Sequence, residues 1–267
     1  MMRVINWGKS DLIWLIVMAF ALLVTTVSHS AVLDPKTVEV AYLFDEGKGT
    51  VAKDISENGR DGDISGAKYT KGVFGTCLDY DGKDDNLVVT GYAGIGGTDP
   101  RTTVFWAKVG DTREHSWVKW GPNLTGEKYY IRAHLRGAEC NLRVEVAGGQ
   151  NYGADNVCDK EWHHMAVVFP KGSDAVKDHD LYVDGKLQSK EGNDQAMDTN
   201  DKDQEVTMGD FLAHHNFMFG LFDEVAIFNV DLTEKQIQAI MDNGLQAALG
   251  VDPQGKLATS WGMLKKY

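Results

Sequence analysis

Residues 220–229 carry an almost continuous run of aliphatic and aromatic side chains, and this run limits the fold more than any other stretch. Its charged positions are the adjacent Asp223 and Glu224. On an extended strand, successive side chains point to opposite faces. One face would carry Leu221, Asp223, Val225, Ile227 and Asn229, and the other would carry Phe222, Glu224, Ala226 and Phe228. Because both faces are mostly apolar, we predict a central strand covered on both sides.

The acidic pair lies within this predicted buried strand, where a carboxylate without a partner is costly. Neighbours on a strand point to opposite sides, so Asp223 and Glu224 are not expected to form the acid/base pair of one catalytic site. We interpret the pair as structural. In this interpretation a carboxylate accepts backbone amides, or pairs with Arg or Lys, and so fixes the end of the sheet.

The chain of 267 residues has a formal net charge of −12. Val, Tyr, Phe and Trp recur between polar turns, which is typical of a sheet-rich globular protein. An acidic surface argues against nucleic acid and anionic membranes as partners. It is compatible with neutral glycans, cationic groups or divalent metals, and equally with plain solubility.

The first 30 residues have the features of a signal peptide. Arg3 and Lys9 precede an apolar run from Leu12 to Val27, and residues 28–31, Ser-His-Ser-Ala, offer small residues at both positions that define a cleavage site. The run is short for a membrane span, which needs about 20 residues. We therefore predict a signal peptide at 1–30, a linker at 31–37 and a secreted or cell-surface protein. The alternative is an uncleaved anchor, which would be the chain's one contact with a membrane.

Short runs with period-two alternation recur from Val38 to Leu232, with Gly, Asn and Asp turn signals between them. Residues 142–146 are an example, with apolar and charged side chains in alternation. The pair Asp184-Gly185 predicts a type I′ turn after one such strand. These patterns predict an all-β fold, a two-sheet antiparallel jelly-roll sandwich over residues 38–232.

One short helix is predicted after the sandwich. Thr233 and Gln236 form a capping-box pattern at its start, and Gly244 is a natural stop. Residues 233–267 are therefore assigned to a C-terminal helix and tail.

The three cysteines are Cys77, Cys140 and Cys158, and they show neither CxxC nor a zinc spacing. In a secreted chain, Cys140 and Cys158 would form a bridge that closes one hairpin. Cys77 would then be a buried free thiol that behaves as a small hydrophobic residue.

Four pieces of the sequence, in order along the chain, resemble the laminin-G-like (pentraxin-like) domains of the concanavalin A-like lectin/glucanase superfamily. They are residues 42–49 with 54–59, residues 72–75 with 78–85, residues 162–166 with 181–186, and residues 220–228 with 232–233. The resemblance implies a concanavalin A-like jelly roll. It leaves the ligand open, because this fold hosts lectins, glycan hydrolases, lyases and adhesion modules.

The sequence lacks the catalytic motifs that such a fold would need. The Glu-x-Asp-x-x-Glu strand of the β-glucan hydrolases is absent, and so are His-Glu-x-x-His and Gly-x-Ser-x-Gly. We therefore expect a secreted, non-catalytic, lectin-like module that recognises a carbohydrate or an extracellular or cell-surface protein. The alternatives are a divergent glycan-active hydrolase or lyase on the same sandwich, and a purely structural surface module.

Glycan binding needs exposed aromatic rings beside hydrogen-bonding side chains. The best candidates in the sequence are Trp117, Trp120, Tyr129 and Arg132. Trp117 and Trp120 have opposite parity, so one of them at most faces outward from a regular strand. Core packing is the alternative for each tryptophan.

Calcium is the cofactor that the resemblance implies, since relatives of this fold often bind it. Such a hard cation takes several oxygen ligands from loops. Asp45, Asp81 and Asp223 end or border strands that are able to converge, and we name them as candidate ligands. The alternative for each carboxylate is acceptance of backbone N–H groups in turns.

Overall fold

The computed structural model describes residues 33–250 except 201, 203 and 211–215. The chain divides into two units, residues 1–30 and residues 31–267, and all described residues belong to the second. In chain order, the strands are β1 Val38–Tyr42, β2 Val51–Ala52, β3 Gly62–Ser65, β4 Lys68–Lys71, β5 Thr76–Asp81, β6 Asn86–Val89, β7 Arg101–Val109, β8 Ser116–Trp120, β9 Tyr129–Arg136, β10 Glu139–Val146, β11 Gly149–Tyr152, β12 His163–Phe169, β13 Asp180–Val183, β14 Lys186–Leu187, β15 Val206–Met208 and β16 Phe219–Phe228. The helix α1 is Glu234–Ala248.

Two antiparallel sheets of eight strands each account for all these strands. The first sheet has the order β14-β13-β12-β7-β16-β5-β4, with β1 also paired to β16. The second has the order β11-β10-β9-β8-β15-β6-β3-β2. Several adjacent pairs join strands that are distant in sequence, for example β7 with β16 and β15 with β6, as the long connections of a jelly roll require. The predicted fold class, two antiparallel sheets with one helix near the C-terminus, is confirmed for the described residues.

Strand β16 lies in the middle of the first sheet. It pairs with β7 along one side, and with β5 and then β1 along the other. Phe222, Val225 and Ile227 are buried in the core between the two sheets. Ala226 and Phe228 are buried on the opposite side, in a second apolar cluster that includes residues of α1. The prediction of a central strand covered on both faces is therefore confirmed.

The predicted division of β16 into two faces is wrong in its first half, because the strand contains a bulge. The pairing with β7 shifts register between Asp223 and Ala226, and Glu224 has a positive φ of 50°. The extra residue reverses the alternation, as a β-bulge does. Phe222 consequently shares a face with Val225 and Ile227, whereas simple alternation would place it on the other side.

The helix begins as predicted. The hydroxyl oxygen of Thr233 accepts a hydrogen bond from the N–H of Gln236 at 3.4 Å, and the Gln236 side chain accepts from the N–H of Thr233 at 2.9 Å. Gly244 does not end α1. It forms a kink with φ 78° and ψ 163°, and the helix resumes until Ala248.

Several predictions made from sequence concern residues outside the described part of the chain. The signal peptide at 1–30 is one, and the tail after residue 250 is another. Among the described residues, no helix is both long enough and apolar enough to cross a membrane.

Candidate functional site

The outer face of the second sheet carries a group of polar and aromatic side chains near its β11 edge. Along β9 and β10, residues Ile131, Ala133, Leu142 and Val144 point into the core. Alternation therefore directs the residues between them outward. Together with two residues of β11 they form what we call the outer-face site: Arg132, His134, Arg143, Glu145, Gln150 and Tyr152.

Strand register brings these side chains together. Arg143 of β10 lies opposite Arg132 of β9 and opposite Tyr152 of β11. Glu145 likewise lies opposite Gln150. Directly opposed residues on one face of an antiparallel pair have Cβ atoms about 5 Å apart, so their side chains interact.

An ion-pair network links the charged members of the site. The carboxylate of Glu145 pairs with Lys128 and Arg143, and its Oε2 lies 3.6 Å from Nη1 of Arg132. Glu114, in the segment before β8, pairs with Arg132 and lies 3.8 Å from Arg143. The Arg143 side chain is 13% exposed and the Arg132 side chain 7%. Such pairs hold the guanidinium groups in defined orientations.

The same site has an aromatic surface. The rings of His134 and Tyr152 stack at 4.1 Å between centroids with 23° between their planes. Both residues are partly exposed. Beside them is a hollow of about 240 Å³ lined by Arg143, Glu145, Val146, Gly148, Gly149, Gln150 and Asn193. Aromatic rings next to hydrogen-bonding side chains at a hollow are the usual arrangement of a small-ligand site.

Positive charge dominates the electrostatics around His134. Burial lowers its pKa, and the neighbouring Arg143, Arg132 and Arg136 lower it further. Burial, followed by repulsion from Arg143, lowers the pKa of Arg132 to about 10. The lowered pKa favours the neutral ring of His134, whose Nδ1 then accepts from Nη1 of Arg143 at 3.4 Å.

The aromatic residues predicted to bind glycan are in the core instead. Trp117, Trp120 and Tyr129 are each at most 1% exposed, and Trp120 stacks on Tyr129 at 4.1 Å. The physical reason is an irregularity in β8, whose pairing with β9 shifts register between Ser116 and Val118. This shift removes the parity difference, so both tryptophans face inward. The prediction of an exposed ring at these positions is wrong, whereas Arg132 lies on the outer face.

Asp45 and Asp223 bind backbone amides near one end of the first sheet. Asp223 Oδ2 accepts from the N–H of Val73 at 2.8 Å and of Phe74 at 3.2 Å. Asp45 Oδ1 accepts from the N–H of Thr76 at 2.8 Å. Their carboxylates therefore take the structural role that the sequence offered as the alternative.

Asp81 belongs to a different group of carboxylates. In the described part of the chain, the one set of three ligand groups within 4.8 Å of one another is Asp81, Asp84 and Asp85. Asp45, Asp81 and Asp223 therefore do not converge as a ligand set. Burial, followed by the neighbouring Asp81 and Asp84, raises the pKa of Asp85. Carboxylate oxygens are the ligands that calcium takes, so the chemistry of this second set fits that ion.

A second hollow of about 500 Å³ lies elsewhere on the domain. Its lining is Gly96, Gly97, Asp99, Glu127, Asp198, Thr199, Asn200 and Lys202. The buried Arg101 shapes this region by donating to the carbonyl oxygens of Ile95, Gly96 and Gly97. Among the described residues, neither hollow is lined by an aromatic ring. The outer-face site differs in having the stacked rings of His134 and Tyr152 on the same sheet face as its hollow, and such rings are suited to stacking a sugar.

The disulfide between Cys140 and Cys158 is present, with Cα atoms 5.6 Å apart. It encloses the β10–β11 hairpin, which carries Arg143 and Tyr152. Cys77 is a buried free thiol, as predicted, and burial raises its pKa to about 12. The bridge therefore fixes the base of the hairpin that supplies most of the outer-face site.

The fold and this face define the class of protein, a two-sheet jelly-roll sandwich. A family of the concanavalin A-like lectin/glucanases superfamily matches residues 81–238. The chain belongs to this superfamily, as its sequence motifs predicted. No curated protein matches the chain at a significant level.

Solved structures of the same fold come from several kinds of protein. Domain 4 of AbnA, a GH43 extracellular arabinanase from Geobacillus stearothermophilus solved in complex with arabinotriose, is 17% identical with a TM-score of 0.58. The match covers 76% of this chain and 98% of that domain. The binding domain of Paraclostridial Mosquitocidal Protein 1 is 13% identical with a TM-score of 0.58, covering 77% of this chain and 52% of that one.

A sialidase from Trypanosoma rangeli is also similar, at 12% identity and a TM-score of 0.57. That match covers 81% of this chain and 34% of the sialidase. The present chain thus spans about half of the toxin domain and a third of the sialidase. At these identities the similarities show the shared fold alone.

Proposed function

We propose that this protein is an exported, non-catalytic module that binds carbohydrate at the outer-face site. The observation that carries the proposal is the stacked pair His134–Tyr152 beside the hollow lined by Arg143, Glu145 and Gln150. The similarity to an arabinanase domain solved with arabinotriose supports a carbohydrate ligand, since that domain has the same fold.

The chemistry of the site suits a sugar. The face of an aromatic ring packs against the C–H groups of a pyranose or furanose ring, and Tyr152 offers such a face at the sheet edge. Arg143 and Gln150 supply donors, whereas Glu145 and the carbonyl group of Gln150 supply acceptors. Sugar hydroxyls donate and accept at once, so a mixed set of this kind is able to orient one ligand ring.

Export is proposed from the N-terminal segment 1–30 and is supported by the bridged cysteines. Disulfides persist in oxidising compartments and are rare in the cytosol. Cys140 and Cys158 form such a bridge. An exported protein would meet the polysaccharides and glycoproteins of a cell surface, or an extracellular protein partner.

The proposal of a non-catalytic role is supported by the position of the acidic residues with perturbed pKa values. Burial raises the pKa of Asp223 to about 7 and that of Glu224 to about 8. Both are at most 3% exposed and accept backbone N–H groups. A glycosidase needs two carboxyl groups flanking a bound sugar. Release of reducing ends from glycans incubated with the protein would contradict the proposal.

Binding is tested with a glycan array, followed by calorimetry on the glycans that bind the protein on the array. We expect Tyr152→Ala to abolish binding while the fold is retained. Tyr69→Ala is the matched control, because Tyr69 is a partly exposed tyrosine in β4, at the edge of the other sheet. An array with no bound glycan would refute the carbohydrate proposal. Equal loss in both variants would refute the assignment to this site.

A further inference from the structure

We infer that the sugar bound at the outer-face site is anionic, bearing a carboxylate or a sulfate group. This inference rests on the proposed carbohydrate function and adds the charge of the ligand. It is carried by the charge balance of the site, the burial of its cations and the unsatisfied hydrogen-bonding capacity of Arg143.

The charge balance is positive. The ion-pair network described above contains three cations, Lys128, Arg132 and Arg143, and two carboxylates, Glu114 and Glu145. The neighbouring pairs Lys119–Asp210 and Arg136–Glu191 are each neutral. Within these ion pairs of the described residues the cations outnumber the carboxylates by one, on a chain whose formal net charge is −12.

This excess of positive charge matters energetically because the side chains that carry it are buried. The side chains of Lys128, Arg132 and Arg143 are 8%, 7% and 13% exposed. A positive charge that is largely removed from water and only partly neutralised is unfavourable. An anion that entered the site would supply the counter-charge, and its attraction to the cations would be stronger here than in bulk water.

Arg143 is the residue placed to meet that anion. It lines the hollow of about 240 Å³, and its Nε is a buried donor without a hydrogen-bond partner. Its Nη2 is bound to Glu145, and its Nη1 lies 3.4 Å from Nδ1 of His134. A guanidinium group binds a carboxylate or sulfate through two donors at once, and one of the donors here is unused.

The lowered pKa of His134 is consistent with this charge distribution, since burial lowers it first and the three neighbouring arginines lower it further against the opposing carboxylate of Glu145. The stacked ring of Tyr152 then gives the ligand a place for its sugar ring next to the charged group. The combination favours an acidic sugar unit over an inorganic anion, because the inorganic ion would leave the aromatic surface unused.

The experiment compares three oligosaccharides of equal length by calorimetry with the full chain: a galacto-oligosaccharide, the corresponding oligogalacturonate and a sulfated galacto-oligosaccharide. We expect at least one anionic oligosaccharide to bind about tenfold more tightly than the neutral one, a ratio that corresponds to one good charge-assisted contact. We also expect this ratio to shrink as the salt concentration rises. The two anionic arms distinguish carboxylate from sulfate.

Arg143→Gln should remove the preference for the anionic oligosaccharide and leave weak binding of the neutral one. Lys83→Gln is the matched control, because Lys83 is an exposed cation at the β5–β6 turn and its loss changes the net charge equally. Thermal melts verify that each variant folds. If Arg143→Gln does not fold, Lys128→Gln takes its place, since it removes a charge from the same network.

The outcomes separate the two proposals. Equal binding of neutral and anionic oligosaccharides would overturn the anionic inference and leave the carbohydrate function standing. A preference that survives Arg143→Gln and Lys128→Gln would overturn the assignment of the anion to this network. Binding of none of the three, together with an array on which no glycan scores, would overturn both.

Discussion

The carboxyl group of Glu224, at the bulge of β16, accepts a hydrogen bond from the backbone N–H of Leu245, next to the kink of α1. This contact joins the central strand to the helix that covers it. Gly244, which precedes the donor Leu245, has a positive φ of 78°, a conformation that strains other residues, and a Cβ there would also lie tightly against Phe74 at 3.3 Å. The bulge and the kink are therefore two parts of one arrangement.

We expect Glu224→Ala to destabilise the protein by about 1–3 kcal/mol, the cost of leaving a buried backbone donor without its acceptor. Glu224→Gln keeps an acceptor oxygen in place and should cost less. Equilibrium urea unfolding measures both. Glu57→Ala is the control, since Glu57 is exposed and its loss should change the free energy of unfolding by less than about 0.5 kcal/mol. Equal effects of the three substitutions would show that the Leu245 contact contributes nothing.

The stability of the protein should fall as the pH rises from 7 to 8. Burial raises the pKa of Glu224 from 4.5 to about 8, so the folded state holds a proton that the unfolded state releases. A group with a raised carboxyl pKa stabilises the fold at low pH and loses that contribution as the pH approaches its folded pKa. The slope is at most about 1.4 kcal/mol per pH unit for each such group.

Two other groups act in the same direction. Burial raises the pKa of Asp223 to about 7. Hydrogen bonds from its ring to Asp184 and Asp159 raise the pKa of His163, which also favours the protonated folded state. Unfolding measured at pH 7, 7.5 and 8 should therefore show a decline in the wild type and a shallower one in Glu224→Gln. Stability that is flat or rising over this range would contradict the prediction.

The central strand could be predicted from sequence because a strand buried on both faces needs apolar residues at nearly every position, and β16 has them at all but two. Which residues share a face could not be predicted. It depends on Glu224 having a φ of 50°, a conformation that residues other than glycine adopt rarely and that the sequence does not signal. By contrast, Asp184 and Gly185 also have positive φ, at 50° and 71°, and there the Asp-Gly pair did predict the turn.

The candidate site was harder to predict for a related reason. Trp117 and Trp120 are obvious candidates for glycan binding because they are aromatic. Both are buried, however, because of the irregular register of β8, which the sequence does not show. Arg143 and Tyr152 become neighbours only through the pairing of β10 with β11. The alternation of residues 142–146 did indicate that Arg143 and Glu145 point outward. What lies across from them depends on the length of the β10–β11 turn, which sequence patterning leaves open.

Loss of the disulfide should weaken both stability and binding. The bridge between Cys140 and Cys158 spans a sequence separation of 18. Closing a loop of that size restricts the unfolded chain and stabilises the fold by about 3 kcal/mol. Because the enclosed hairpin carries Arg143 and Tyr152, we also expect weaker glycan binding in the double variant Cys140→Ser/Cys158→Ser.

Urea unfolding and calorimetry measure the two effects. Reduction of the wild type with dithiothreitol should reproduce the stability loss. Cys77→Ala is the control, since it removes the free thiol and leaves the bridge intact. Unchanged affinity in the double variant, with the expected loss of stability, would show that the hairpin keeps its geometry without the bridge.

Calcium, the cofactor implied by the family resemblance, is proposed to bind at Asp81, Asp84 and Asp85, and its effect should appear in thermal melts. An ion that binds the folded state alone stabilises it by about 2.7 kcal/mol at a concentration 100 times its Kd. We expect a higher melting temperature with calcium than with EDTA, and a smaller difference in Asp84→Asn. Asp81 and Asp84 are both exposed, but the Asp81 side chain also accepts hydrogen bonds from Lys83, so Asp84 is the least disruptive of the three to replace. Asp45→Asn is the control, because Asp45 binds the amide of Thr76 instead, so the calcium-dependent shift in melting temperature should survive its loss.

Identical melting temperatures with calcium and with EDTA would remove the metal from the proposal. A shift that vanishes in Asp45→Asn would restore the ligand set predicted from sequence.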